Sequence, residues 1–329
     1  MLTCVTRPFE PEDARLYVAL AADAFSIVPA WQRPKDSVEF VANLHSAANP
    51  AGRALVSIAR LDGREVGHFS ALPARLLRPD GTIAVGWQLS CFAIARGLQR
   101  QGVGTQLVAS LLDEVAKRPD DFVYVYPNPR SLGVFVRHGG RYLDDAPSWI
   151  VAPSPSKSVR GRGGDPARIE LVDAHAAGAI AARVPEIATT PGAFVKDRAF
   201  FAWRFLGPDA DRRTRFAHVA VDGEEFVIVL SSHRAKGVTF TVLVDVFPDV
   251  FATRFGLVLR AARAAGGGRP VYLTTNLNDR VDTSGAPWRV RVPTRFDPRP
   301  VGTMILPRTT LPDDDLRRAP VITGDWMSF

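Results

Sequence analysis

The sequence predicts two copies of one α/β plan joined by a short linker. Three observations carry that expectation. The chain has 329 residues, about twice the ~100–200 of an ordinary domain. Strand-like and helix-like stretches alternate through the first half and return in the same order in the second. Between them, Pro153 to Pro166 reads P-S-P-S-K-S-V-R-G-R-G-G-D-P, too polar and too rich in turn formers to hold an element. The expected boundaries are 1–152 for the first domain, 153–166 for the linker and 167–329 for the second domain.

In the first half, Leu2 to Thr6 has strand character, and Pro11 to Phe25 reads as a helix with proline near its start. Ser37 to Ala47 follows as a second helix. Ala54 to Arg60 and Glu65 to Leu77 are strands about the turn Leu61-Asp62-Gly63-Arg64, which resembles a hairpin. Val85 to Ile94 is a further strand, Gly104 to Lys117 a helix and Phe122 to Tyr126 a strand. In the second half, Arg168 to Val172 is a strand and His175 to Arg183 a helix. Phe216 to Val221 and Glu225 to Ser231 pair around Asp222-Gly223, and Val238 to Phe247 is the next strand. Val250 to Ala265 is expected to be helical, with Gly266-Gly267-Gly268 as its stop, and Val271 to Thr275 closes the series.

Composition bounds the function classes. A chain 46% hydrophobic and 23% charged, with 26 Gly and 26 Pro, is neither collagen-like, coiled-coil nor wholly disordered. The net charge is +7, which favours phosphate-bearing ligands over cationic ones. Residues 1–150 hold 16 basic and 15 acidic side chains, so residues 151–329, with 25 and 19, carry nearly all of the excess. Two cysteines, Cys4 and Cys91, make no disulfide framework and fit a reducing cytoplasm. The apolar stretch Leu16 to Val28 is broken by Asp23 and is too short for a membrane span. The six histidines, His45, His68, His138, His175, His218 and His233, show no H-x-x-x-H pairing, so no metal site is expected. Arg212-Arg213-x-Arg215, Arg289-x-Arg291, Arg160 and Arg162 are basic, but no reading helix or aromatic platform accompanies them, and nucleic acid is not an expected partner.

The stretch that carries chemistry is Trp87-Gln88-Leu89-Ser90-Cys91-Phe92-Ala93-Ile94, then Ala95-Arg96-Gly97-Leu98 and Gln99-Arg100-Gln101-Gly102-Val103-Gly104-Thr105. A strand enters a glycine-bearing loop that opens a helix, with Leu107, Val108, Leu111, Leu112 and Val115 on its apolar face. Such a turn aims unpaired backbone N–H groups and the positive end of a helix dipole at an anion, and glycines let the backbone approach it. A dinucleotide fingerprint would need a third glycine where Leu107 stands, and a nucleotide-triphosphate loop would need Gly-Lys-Ser/Thr, which is absent.

Gln99-x-x-Gly102-x-Gly104 after an apolar strand resembles the acyl-CoA signature Q/R-x-x-G-x-G/A of the GCN5-related N-acetyltransferase (GNAT) superfamily. A second stretch, Tyr126 to Gly140, is similar to the family's later segment, with Asn128, Phe135 and Gly139 at its Asn, aromatic and glycine positions. The second half resembles the degenerate copy found in tandem members. Lys196-Asp197-Arg198, Trp203-Arg204-Phe205 and Gly324-Asp325-Trp326 are short matches, and Asp245 to Phe255 contains no Q/R-x-x-G-x-G. The resemblance implies tandem folds of the α/β (α+β) class, each a mixed, mostly antiparallel sheet flanked by helices. It further implies that the loop amides of Gln99, Arg100, Gln101, Gly102, Val103, Gly104 and Thr105 hold the pyrophosphate of acetyl-CoA or another acyl-CoA. The backbone of Phe92, Ala93 and Ile94 would meet the pantetheine arm, with Asn128, Ser131 and Phe135 completing the coenzyme site. The second half would complete the acceptor site.

Aminolysis of a thioester needs a neutral amine, stabilisation of an oxyanion and a proton for the thiolate. At the positions where family members carry a base, this sequence has Gln88 and Ser90, neither of which is one. The usual tyrosine acid is replaced by Phe135. Tyr126, His138 and Tyr142 are nearby groups able to move a proton, and Glu39, His45 and Glu65 are candidates on the acceptor side. The implied function is direct acyl transfer from coenzyme A to a primary amine of a small molecule, for example a nucleotide-linked amino sugar, by a cytoplasmic monomer or homodimer. A protein-lysine acetyltransferase and a non-catalytic acyl-CoA sensor are the alternatives.

Overall fold

In the computed structural model the described residues are 1–27, 37–128, 130–144, 148–152, 159, 166–186, 189, 192–207, 214–235, 237–274, 281, 283, 287, 289–292 and 303–307. They form two units, one built on Met1–Asp145 with a returning C-terminal segment, the other on Ala146–Asp297.

The first unit contains β1 (Leu2–Pro8), α1 (Pro11–Ala24), α2 (Val38–His45), β2 (Leu55–Leu61), β3 (Arg64–Leu77) and β4 (Ile83–Ile94), followed by α3 (Val103–Val115), β5 (Phe122–Val125), α4 (Leu132–Arg137) and β6 (Arg141–Asp144). The second contains β7 (Ser148–Val151), β8 (Arg168–Val172), α5 (Ala174–Arg183), α6 (Arg198–Phe201, continued as a π-turn over Ala202–Leu206) and β9 (Arg215–Val221). After these come β10 (Glu224–Ala235), β11 (Val238–Phe247), α7 (Phe255–Ala265), β12 (Val271–Thr274) and β13 (Arg289–Arg291). Last among the described residues is β14 (Thr303–Ile305).

The two sheets share one plan. The first runs β1-β2-β3-β4-β5-β14-β6 and the second β8-β9-β10-β11-β12-β7-β13. Each has one parallel pair among its described strands, β4 with β5 and β11 with β12. The sixth place in each sheet is taken by a strand from the other half of the sequence. β14 lies antiparallel between β5 and β6, with Met304 opposite Val125 and Tyr142. β7 lies antiparallel between β12 and β13, with Trp149 opposite Leu273 and Arg291. The chain therefore divides at Asp145/Ala146 rather than after residue 152. Four apolar-rich residues around Trp149 carry a strand signal but nothing that says which sheet they join. Of the expected linker only Val159 and Pro166 are described, and Arg160, Arg162, Arg212, Arg213 and Gly324-Asp325-Trp326 lie outside the described residues.

Local chemistry accounts for the elements that position the site. α1 begins at Pro11, and Asp13 in its first turn accepts from the Glu10 backbone N–H at 2.8 Å. Asp13 is itself buried and held by both terminal nitrogens of Arg7, at 2.8 and 2.7 Å. Ser37 caps α2, its hydroxyl accepting from Phe40 N at 3.1 Å. Gly86 lets β5 lie beside β4, since a Cβ there would stand 2.3 Å from Phe122 Cζ. α3 packs Val103, Leu107, Val108 and Leu111 against Leu55, Phe69 and Leu89 of the sheet. The corresponding core of the second unit joins Val258, Leu259 and Phe255 of α7 to Val219, Ile228 and Leu243. α7 starts at Phe255 and not at Val250, because Val250–Arg254 forms a turn first, Arg254 N donating to Val250 O at 2.8 Å.

Candidate active site

The site is built where β4 leaves β5. The parallel pairing covers Gly86–Leu89 against Phe122–Val125 and then stops, while β4 continues alongside β3 to Ile94. A bulge occurs at this point. His68 pairs with Ala93 and Ser70 with Ser90, and Cys91 adopts φ 51°. His68 fixes the bulge, its Nδ1 lying 3.0 Å from Cys91 O. A carbonyl only accepts, so Nδ1 carries the proton and Nε2 is left as an acceptor, with no hydrogen-bond partner among the described residues. Beyond Leu89 no strand among the described residues continues the pairing along the edge of β4 that faced β5, and alternate residues of the stretch up to Ile94 turn backbone groups to that edge.

The loop after β4 returns as the first turn of α3. Arg100 has φ 65° and Gly102, the N-cap, φ 87°. No side chain caps the helix, so the N–H groups of Val103, Gly104 and Thr105, which have no intrahelical acceptor, point out of its N-terminus. The first helical bond runs from Gln106 N to Gly102 O at 3.1 Å. Among the described residues nothing lies within 4 Å of a Cβ on Gly102, so its φ gives it a conformational role. Gly104 instead faces the sheet, with Phe92 and Ile94 in the way of any side chain. That glycine is therefore required by helix–strand packing, a reason the sequence alone did not show. Exposed Gln99 reaches back to Ile94 O at 3.3 Å, and Gln101 to Gly97 O at 2.8 Å.

The remaining predicted residues divide by role. Phe92 is half-buried, its ring centroid 4.6 Å from Phe69, and Ala93 is buried. Phe135 on α4 is buried in the same aromatic group, 6.0 Å from Phe69 and 6.3 Å from Phe92. Asn128 and Ser131 build the turn into α4: Asn128 Oδ1 accepts from Arg130 N at 2.9 Å and Ser131 N at 3.0 Å. His138 ties α4 to α3, with Nε2 donating to Thr105 O at 3.0 Å. Tyr126 follows β5 edge-on to Tyr124, and Tyr142 is exposed on β6. Glu39 is exposed on α2, and Glu65 is exposed and paired with Arg60 at 2.9 Å.

On the sheet face covered by α1 and α2 lies a row that the sequence only partly revealed. Gln88 and Ser90 alternate on β4, and opposite Ser90 stands Ser70 of β3. His45, expected to point towards the acceptor, is instead fully buried at the end of α2. Its Nδ1 is 2.8 Å from Val41 O and its Nε2 2.8 Å from Ser70 Oγ. Burial pushes the His45 imidazole down to about 3 and His68 down to about 4, so both are neutral near pH 7. Ser70 and His68 were missed, although their alternation with apolar Phe69 and Ala71 on one strand marks them as facing together. Among the described residues no group of three or more His, Cys, Asp or Glu is placed to hold a metal ion, and no helix is long and apolar enough to cross a membrane.

Residues 17–139 match the sequence model of the Acetyltransferase (GNAT) family. Among solved structures, a GCN5-related N-acetyltransferase from Anabaena variabilis ATCC 29413 aligns with TM-score 0.60 at 10% identity, over 93% of this chain and 72% of that one. A conserved Enterococcus faecalis V583 protein, described as a "Probable N-Acyltransferase", aligns with TM-score 0.60 at 12% identity, over 92% and 72%. Saccharomyces cerevisiae N-myristoyltransferase with bound myristoyl-CoA aligns with TM-score 0.53 at 9% identity, over 96% and 84%. At these identities the likeness establishes the fold. No curated protein matches the chain by sequence.

Proposed function

We propose that this chain, whose first unit carries a GNAT-family acetyltransferase domain, is an acyl-CoA-dependent N-acyltransferase that delivers its acyl group directly to the primary amine of a small molecule. One observation carries the reading: the open edge of β4 from Ser90 to Ile94 and the uncapped N-terminus of α3 belong to one continuous stretch of chain. The edge offers alternating donors and acceptors to an amide-bearing arm such as pantetheine. The amides of Val103, Gly104 and Thr105 offer a positive, donor-only end to its pyrophosphate. A backbone N–H on the same edge is suited to polarise the thioester carbonyl.

Phe135 has no proton to give, so the departing thiolate takes its proton from water, and the nitrogen that has attacked gives one up to solvent, which leaves the amide and the free thiol. In the second unit, the segment after β11 leads through a turn to Arg254, whose guanidinium is paired with Glu224, in place of a glycine loop. That supports a single coenzyme site per chain. The basic excess of the second half supports an acceptor bearing phosphate, such as an amino sugar attached to a nucleoside diphosphate.

The test is calorimetric titration with acetyl-CoA, followed by a free-thiol assay against small amines, nucleotide-linked amino sugars and lysine peptides. Thiol release with small amines supports the proposal. Release with lysine peptides alone would move the acceptor to protein, and binding without release to any amine would make the chain a sensor.

A further inference from the structure

We propose that Ser90 Oγ orients the attacking amine by accepting one of its N–H hydrogens, and that Ser70 and His45 are positioning residues that turn the Ser90 hydroxyl hydrogen inward. The inference rests on the acyltransferase reading above and names where the amine is held.

The argument is one of hydrogen-bond direction. Val41 O lies 2.8 Å from His45 Nδ1 and can only accept, so the His45 proton is on Nδ1 and Nε2 is a lone pair. That lone pair faces Ser70 Oγ at 2.8 Å, so the Ser70 hydrogen is drawn to it in preference to Ser90 O at 3.1 Å. Ser70 Oγ then turns its lone pairs towards Ser90 Oγ, 3.4 Å away. The Ser90 hydrogen points to Ser70, and its outward side is acceptor only. Burial holds the His45 imidazole down at about 3, so the row keeps one polarity throughout the neutral range and passes no proton.

A second observation points to a donor ligand on this face. Gln88, two residues earlier on the same side of β4, is 4% exposed, and its Oε1 has no hydrogen-bond partner among the described residues. An acceptor left without a donor in a buried place is costly, a cost an incoming N–H removes. Ser90 itself is half-buried, the accessible end of the hydrogen-bonded series whose inner members, Ser70 and His45, are fully buried. A primary amine brings at least two N–H donors and suits two acceptors spaced along one strand.

The experiment uses the full chain. Nitrogen-15 shifts of labelled His45 are expected to show the Nδ1–H tautomer from pH 5 to 9. Ser90→Ala is expected to lower kcat/KM for the amine roughly tenfold to a hundredfold, the value of one hydrogen bond to a nitrogen that gains positive charge as it attacks, with acetyl-CoA affinity within twofold of wild type. Ser90→Thr, which keeps the oxygen, is expected to stay within about threefold. His45→Gln, whose side-chain carbonyl can accept from Ser70, is expected to lose less than His45→Phe. A His45 Nε2–H tautomer, or an unchanged amine kcat/KM in Ser90→Ala, overturns the proposal even if the His45 variants fail to fold. Failure of the wild type to bind acetyl-CoA overturns the acyltransferase reading instead, and is seen before any variant is made.

Discussion

Gly104 and Phe92 are in such close approach that a Cβ on the glycine would stand 2.9 Å from Phe92 Cζ, with Ile94 Cδ1 at 3.2 Å. The first turn of α3 is thereby pressed onto β4, and the two parts of the proposed coenzyme site are held in fixed register. Gly104→Val must push α3 off β4 or displace a ring already packed against Phe69. The expected cost is about 1–3 kcal/mol of stability, with acetyl-CoA affinity reduced at least tenfold, measured by thermal melting and calorimetry. Gly102→Ala acts differently: no atom obstructs it, but φ 87° strains any side chain, at about 1–2 kcal/mol.

The exchange of sixth strands makes the first sheet depend on the end of the chain. Met304 and Leu306 are fully buried there. Met304→Ala is expected to cost about 2–5 kcal/mol, whereas Val136→Ala, at an exposed site on α4, should stay within about 0.5 kcal/mol. A fragment of residues 1–152 lacks β14 and should show no cooperative melt by circular dichroism. A sharp transition for that fragment would show that the exchanged strand is dispensable.

Two buried neutral histidines set a pH dependence of stability. His45 and His68 titrate near 6.5 when unfolded and at about 3 and about 4 when folded. Between those limits the unfolded chain binds more protons, so stability is full above pH 6.5 and falls as pH drops towards 4. Each histidine contributes a slope of about 1.4 kcal/mol per pH unit. Melting temperatures from pH 7.5 to 4.5 should decline steeply in the wild type and less steeply in His68→Gln.

Phe135 takes the place of the tyrosine acid that the family resemblance implies, and its 1% exposure shows what a hydroxyl there would meet. Phe135→Tyr should not raise kcat, because the added O–H enters an aromatic group that includes Phe69 and Phe92. It should lower stability by about 1–3 kcal/mol unless a partner is found. A large gain in kcat would instead show that the thiolate had been waiting for this proton.

Much of this architecture was legible beforehand. Helices and strands fell close to their expected bounds wherever the apolar period was long, as in Pro11–Ala24 and Val238–Phe247. The loop from Gln99 to Thr105 was placed correctly at a strand-to-helix turn because glycine spacing is a local signal. What stayed hidden is non-local. Nothing in Thr303–Ile305 says that it joins a sheet formed more than 150 residues earlier, and nothing in His45 says that a helix will bring it to Ser70. Asn128 and Ser131 are expected at the coenzyme site and His138 as a group able to move a proton, and the structure shows that their side chains also hold turns and helix ends. Small polar residues serve both uses in the same sequence pattern.

The most direct test of the central claim is acetyl-CoA binding by the full-length wild type beside Gly104→Val, with thiol release followed across the amine panel. Binding in the micromolar range that is lost in the variant, with one thiol released per amide formed, is the predicted result. No measurable acetyl-CoA binding by the folded wild type would contradict it.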